Sequence, residues 1–398
     1  MKIVQSTWVR YHHIDLAREL HQMGHLERVF TSLPWWKADK ESLEQNVPRD
    51  LITCNFLMEG VRRMGAKLPF YSKGMDARLA VLHTKNYSRW VARNLPDCDA
   101  YIGISGSGLH AGKVAKSRGA GYIMDRGSSH IRYVDEVMSE EYRRLKLPWT
   151  PINPWLIENE EAEAEEANII TVPSEFSRKT FIGQGTDPNK LRVVPYGVSL
   201  KEFYPVGKAS DDCFRIVFVG QLSVRKGILY LLDAFHTFKH PKKELILVGN
   251  IDNSIKHLID AGVHDNIRFV GNVPRDQVKK YVSTAHALVL PSIEDGFGLV
   301  LIQAAACGCP LIASTNTGFS TLFSHEKEGL LVEARNAQAL ADAFTRLADD
   351  PSLRERMSVA CVERVKELGG WKTYADSMVA VAREANTLAS SKHLNKIL

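Results

Sequence analysis

A chain of 398 residues, 44% hydrophobic and 24% charged, has the make-up of a globular protein of two or three domains. A net charge of +5 is too mild to make nucleic acid the expected partner, and no apolar run reaches the ~18 residues a membrane-spanning helix needs. The six scattered cysteines fit reduced, buried thiols rather than a disulfide framework or a zinc site.

Residues 1–5 read as a first strand, so we expect no signal peptide and a cytoplasmic location. Residues 6–13 form a polar and aromatic loop with Trp8, Arg10, Tyr11, His12 and His13. Residues 14–23 form a helix ended by Gly24, and 26–31 the next strand. This strand–helix–strand opening is Rossmann-like. Residues 56–95 interleave Arg62, Arg63, Lys67, Lys73 and further bases with Phe56, Leu57, Met64, Phe70, Tyr71 and Trp90. Such a stretch suits an anionic membrane surface, or a helix pair with solvated basic faces. Asp97 and Asp99 read as a turn before the strand 100–104. A Gly/Ser loop, a helix over 109–117 and a strand at 122–124 follow, the last running into Asp125-Arg126-Gly127-Ser128-Ser129-His130. The acidic run 158–166 is expected to be mostly a solvated helix face. A polar linker over 206–212 marks a domain boundary.

The second half alternates more cleanly. Strands are expected at 214–220, 244–249, 267–271, 287–290, 310–313 and 329–332, with helices between, among them 227–238. That alternation specifies a parallel, doubly wound sheet with ligands outside the carboxyl ends of its strands. Arg225 and Lys226 precede the helix at 227. Residues 290–310, LPSIEDGFGLVLIQAAACGCP, read as strand end, glycine loop and apolar helix. A helix start offers free N–H groups and a positive dipole end to phosphate. Asp295 at its mouth suits neutral hydroxyls better. The last helix is expected over 371–389, with a frayed tail.

The spacing Asp295-Gly296-Phe297-Gly298-Leu299, with Gln303 eight positions after Asp295, resembles the signature of the retaining nucleotide-sugar glycosyltransferases of family 4, of GT-B fold. The family has glutamate at both polar positions. Asp295 shortens the reach by a methylene, and Gln303 loses the charge. Gly220-Gln221 and Lys226-Gly227 resemble the family's Gly-Arg…Lys-Gly, with Arg225 beside Lys226 a substitute for the missing arginine. Residues 191–205 resemble its hinge-proximal pattern.

The resemblance implies two Rossmann-like domains facing across a cleft. Residues 1–205 would bind the acceptor and 206–375 the nucleotide sugar, and a helix over 376–398 would cross back to the first domain. It implies retention of configuration and no cofactor or bound metal. It places catalysis with Arg225, Lys226, Asp295 and, where the family has a histidine near the reacting sugar, Arg126 or His130. Donor binding falls to Gly220, Gln221, Val273, Gly296, Phe297, Gly298, Leu299 and Gln303, and acceptor binding to Tyr11, His12 and His13. The implied acceptor is a glycan or lipid-linked molecule of cell-surface polysaccharide synthesis, with an anionic membrane surface as a further partner. A GT-B sugar-nucleotide epimerase, using Asp125 and the nearby histidines, and a non-catalytic nucleotide-sugar-binding relative are the alternatives.

Overall fold

The computed structural model describes residues 1–8, 12–37, 46–65, 73–260 and 266–397. Two wholly parallel sheets follow one another along the chain. The first holds β1 (Ile3–Thr7), β2 (Leu26–Thr31), β3 (Ile52–Cys54), β4 (Ala100–Ile104), β5 (Gly121–Asp125), β6 (Ile169–Val172) and β7 (Leu191–Val193), in the order β3-β2-β1-β4-β5-β6-β7. The second holds β8 (Phe214–Val219), β9 (Lys243–Val248), β10 (Ile267–Gly271), β11 (Ala287–Leu290), β12 (Leu311–Ser314) and β13 (Gly329–Val332), in the order β10-β9-β8-β11-β12-β13. Helices cover both faces of such sheets, which is why β1, β5, β6, β11 and β12 are buried at every residue instead of alternating.

In each sheet the strand order reverses once, between β1 and β4 and between β8 and β11. Loops leaving the carboxyl ends of those strands diverge, and a crevice opens there. The loops after β1, β4 and β5 face those after β8 and β11. Asp97 and Asp99 lie before β4, at the opposite end of the sheet. Asp99 accepts a hydrogen bond from the Lys2 N–H at 2.7 Å, and the Asp97 side chain is 95% exposed; the pair lies in the irregular segment that bends into β4.

Residues 56–95 contain the two expected helices, Leu57–Gly65 and Lys73–Asn94. Tyr87 fixes the second, donating from its hydroxyl to the carbonyls of Thr7 and Phe30, each at 2.9 Å. The final helix runs Trp371–Ile397, longer than the expected 371–389, and its last turns continue through Ser390 and Ser391, which donate back to the carbonyls of Asn386 and Thr387. It packs on the helix His12–Gln22 and on β5, and Glu384 pairs with Arg192 of β7, so the helix ties the second half of the chain to the first sheet. All six cysteines are free; Cys307, Cys309 and Cys361 are buried.

In the acidic run Glu158 and Glu165 are exposed and Glu161 and Glu166 half-buried, as a mostly solvated face requires, but two of its acids turn inward. Within the helix Pro154–Glu166, Asn159, Glu160 and Glu163 are buried. Glu163 accepts from the backbone N–H groups of Gly106 and Leu109, at 2.7 and 3.0 Å, so it caps the loop after β4. Glu160 pairs with Arg126 at 2.7 Å. Burial, and then the neighbouring Glu160, pushes the Glu163 carboxyl up to about 8. The folded chain therefore holds this proton more tightly than the unfolded chain does. The stability this lends is full below the ordinary glutamate value of 4.5 and is lost as pH rises through about 8. Glu163→Gln removes that titration. Its melting temperature relative to the parent should climb between pH 5 and pH 8; a constant or falling difference would show that Glu163 is ionised throughout.

Candidate active site

The facing loops enclose one cleft of about 1060 Å³. Its first wall carries Trp8, His12, Arg126 and Glu160; its second carries Gln221, Arg225, Lys226, Asp295, Phe297 and Gly298. Acceptor-side and donor-side candidates, far apart in sequence, thus border one space. A smaller cavity of about 330 Å³ adjoins it, lined by Gly220, Gln221, Asn250, Asn272 and Val273. Gln221 lines both.

On the second wall, the Lys226 ammonium pairs with an Asp295 carboxylate oxygen. The other oxygen, Oδ1, accepts from the Gly298 N–H at 3.1 Å. Burial alone would raise the Asp295 carboxyl; Lys226, then Arg225, outweighs it and holds the group below its usual range. Asp295 is therefore ionised and already engaged. A carboxylate has roughly four lone-pair sites, so it can take a ligand hydroxyl as well. Gly298 has φ 74°, a left-handed conformation that glycine adopts without strain, and starts the helix Leu299–Ala306. Leu299 and Val300 line the cleft, so this helix end points its positive dipole at the space that Lys226 also faces. Two cations and a helix start around one cleft can neutralise a diphosphate.

Gly296 holds a different post from the donor contact expected of it. A Cβ there would lie 2.4 Å from the Ser128 Cα, and the Gly296 carbonyl accepts from the Ser174 and Ser177 hydroxyls at 2.5 and 3.1 Å. This glycine lets the two domains touch. Gln303 is half-buried and does not line the cleft; it sits at the fifth position of its helix, past the turn that faces the opening.

On the first wall, His12 Nε2 lies 2.7 Å from Asp125 Oδ2. His13 Nε2 lies 3.1 Å from the same oxygen, poorly oriented for a hydrogen bond, and Thr171 donates to Asp125 Oδ1 at 2.7 Å. Burial, and then His13, lowers His12 to about 4 despite the pull of Asp125. Burial would raise Asp125, but His12 and the hydrogen bonds it receives hold it well below the carboxylate range. Near neutral pH the dyad is thus a neutral imidazole on a carboxylate. With Nε2–H given to Asp125, Nδ1 keeps the lone pair. The ring stacks on Tyr196, centroids 4.0 Å apart, and lines the cleft. His12, His13 and Asp125 also bring three ligand-type atoms within 4.8 Å of one another.

His13 is wholly buried behind His12. Of Arg126 and His130, Arg126 lines the cleft, held by Glu160, Ser105 and the Ser129 carbonyl. His130 instead caps the helix Ile131–Arg144, its Nδ1 accepting from the Arg132 N–H at 3.2 Å, its ring edge-on to Phe181. Tyr11 lies outside the described residues. Sequence reasoning missed Glu294, Glu160 and the serines at 128, 129, 174 and 177. The DRGSSH run hinted at Ser128 and Ser129, the acidic pair at 294–295 at Glu294 and the acidic run 158–166 at Glu160, none with its partner.

Residues 201–361 match the model of the family described as glycosyl transferases group 1. A D-inositol 3-phosphate glycosyltransferase of Kribbella flavida is 29% identical over 258 residues, 59% of this chain and 61% of the relative. The chain thus spans about three fifths of that relative's length. Among solved structures, sucrose-phosphate synthase of Thermosynechococcus elongatus aligns with TM-score 0.73 and 23% identity, over 96% of this chain and 98% of that one. Anabaena HepE in complex with UDP-glucose aligns with TM-score 0.66 and 16% identity, over 96% and 100%. These likenesses show the GT-B fold.

Proposed function

We propose, from a chain whose residues 201–361 match the model of the group 1 glycosyl transferases within a GT-B fold, that it moves a sugar from a nucleotide-diphosphate sugar to an acceptor. The observation that carries this is the convergence of Lys226, Arg225 and the helix start at Gly298 on the cleft bordered by His12 and Arg126. The leaving diphosphate gains charge as the glycosidic bond breaks. Groups fixed in advance around it stabilise that charge without reorganising. The adjoining cavity at Gly220 and Val273 would take the nucleoside, and Asp295 a sugar hydroxyl. HepE, which shares the fold, is known bound to UDP and to UDP-glucose, and that supports a nucleotide sugar as donor here.

The finer reading is retention of configuration, no metal, and a glycan or lipid-linked acceptor in cell-surface polysaccharide synthesis. The test is incubation of the protein with a panel of nucleotide sugars and lipid or glycan acceptors, with and without a chelator, followed by mass spectrometry and assignment of the product anomer. Transfer with the anomer kept, in chelator, is expected. Release of an isomerised sugar nucleotide would select the epimerase. Activity abolished by chelator would turn the group His12, His13 and Asp125 into a metal centre.

The same reading includes docking on an anionic membrane. Leu57, Val61 and Met64 are exposed on the helix Leu57–Gly65, and so are Trp35 and Trp36, the latter edge-on to Phe56 just before that helix. Among the described residues no helix is long and apolar enough to cross a membrane. Lys67, Phe70 and Tyr71 fall outside the described residues. Each base at an anionic surface adds about 1 kcal/mol, so three or four suffice for reversible attachment. Sedimentation with anionic but not neutral liposomes at low salt is expected, weakened by salt and by changing Arg62, Arg63, Lys67 and Lys73 to Gln. Protein that ignores anionic liposomes at low salt would make the acceptor a water-soluble one.

A further inference from the structure

We infer that Glu294 is a positioning residue that aims Arg225 into the cleft only while Ser128 and Ser129 of the first domain cover it. This rests on the reading of Arg225 as a diphosphate-binding group. Glu294 is 0% exposed, one residue before Asp295, yet it points away from the cleft. Its Oε2 accepts from Arg225 Nε at 2.6 Å. Its Oε1 accepts from the Ser128 and Ser129 hydroxyls at 2.9 and 2.7 Å, and from the Ser129 N–H at 3.3 Å. Arg225 Nη2 donates to the Ser128 hydroxyl at 3.3 Å, and the Arg225 carbonyl accepts from the Ile293 N–H at 2.9 Å. One carboxylate therefore gathers donors from both domains around an arginine whose side chain is still 42% exposed and lines the cleft.

The physical consequence is a coupling. A buried carboxylate needs its donors. With the domains together, two serines and Arg225 share that duty, and the guanidinium is fixed through Nε on Glu294 and through Nη2 on Ser128, in a side chain that lines the cleft. With the domains apart, the serines leave, water enters, and Arg225 regains its rotamers. Lys226 pairs within its own domain and does not depend on closure. A donor would thus meet Lys226 first, and the second cation would be aimed once the first domain has closed over it. Burial would raise the Glu294 carboxyl, but Arg225 and then Ser129 hold it low, so it carries charge while it does this.

The first experiment needs no turnover. Arg225 is modified with phenylglyoxal and followed by peptide mass spectrometry in the full chain. Both Glu294→Gln and the double variant Ser128→Ala/Ser129→Ala should speed its modification by about fivefold or more. The serine pair guards against a Glu294 variant that fails to fold. Unchanged reactivity of Arg225 in the folded serine variant would overturn the inference. The second experiment titrates uridine, guanosine and adenosine diphosphates by calorimetry and measures transfer. The serine variant should keep nucleotide affinity within about threefold while kcat falls by about tenfold or more, as displaced catalytic groups do. Glu294→Gln should add little to Arg225→Ala, because the two act as one unit. Equal losses in affinity and kcat, or losses that multiply, would make Glu294 merely structural. A parent protein that binds none of the three diphosphates would defeat the diphosphate reading instead, whatever Arg225 reactivity shows.

Discussion

Lys226→Ala should lower sugar transfer by about 10²- to 10³-fold, the cost of losing one group aimed at charge that develops in the transition state. The lysine sits on the loop after β8, half-buried, with its ammonium on Asp295. Its removal has two effects that act together. The diphosphate loses a cation, and Asp295 loses the partner that does most to hold its carboxyl low. Asp295 keeps the Gly298 N–H and Arg225 as neighbours, so the carboxylate remains ionised but less well anchored. The fold should survive, because the side chain belongs to a loop and leaves no core cavity. Steady-state kinetics with the preferred nucleotide sugar, beside thermal unfolding, checks this. A variant with near-parental kcat and KM would remove Lys226 from the site.

Asp125→Ala should have the largest effect on stability and should also abolish function on the first wall. The carboxylate is buried at the end of β5 and answers three groups: His12, Thr171 and, less well oriented, His13. Alanine strands the His12 N–H and leaves the Thr171 hydroxyl only the Met124 carbonyl at 3.5 Å, and a buried group left unpaired costs about 1–3 kcal/mol. We expect a loss of about 2–5 kcal/mol in the stability of the first domain and free rotation of the His12 ring. Asp125→Asn has Thr171's acceptor but offers an amide to one histidine, so it should be milder in stability and still poor in transfer. Thermal unfolding followed through the first domain's tryptophans measures the loss. An Ala variant as stable as the parent would mean that water or a repacked neighbour serves these groups equally well.

What could be read in the sequence follows from where each interaction's partners lie. The second domain was legible because its strands are short apolar runs and its helix Ile228–Thr237 repeats apolar residues at helical spacing. Lys226 and Gly298 were legible because helix starts and glycine loops are local. The first domain's site was not. The buried face of the helix Pro154–Glu166 is written with Asn159, Glu160 and Glu163, so its periodicity carries charge where a hydrophobic pattern is sought. Glu294 meets Ser128 and Ser129 across 165 and more residues, a contact that only closure of the two domains creates. His130 shows the converse. A histidine in a glycine–serine loop looks catalytic, yet it caps a helix, because a ring nitrogen can accept from a backbone N–H as a serine would.

The most direct test is a crystal structure of the protein grown with a nucleoside diphosphate. The diphosphate should lie between Lys226 and the start of the helix Leu299–Ala306, with Arg225 within hydrogen-bond distance and the nucleoside in the cavity at Gly220 and Val273. A diphosphate bound elsewhere, or Lys226 still paired only with Asp295 beneath an ordered nucleotide, would contradict that placement.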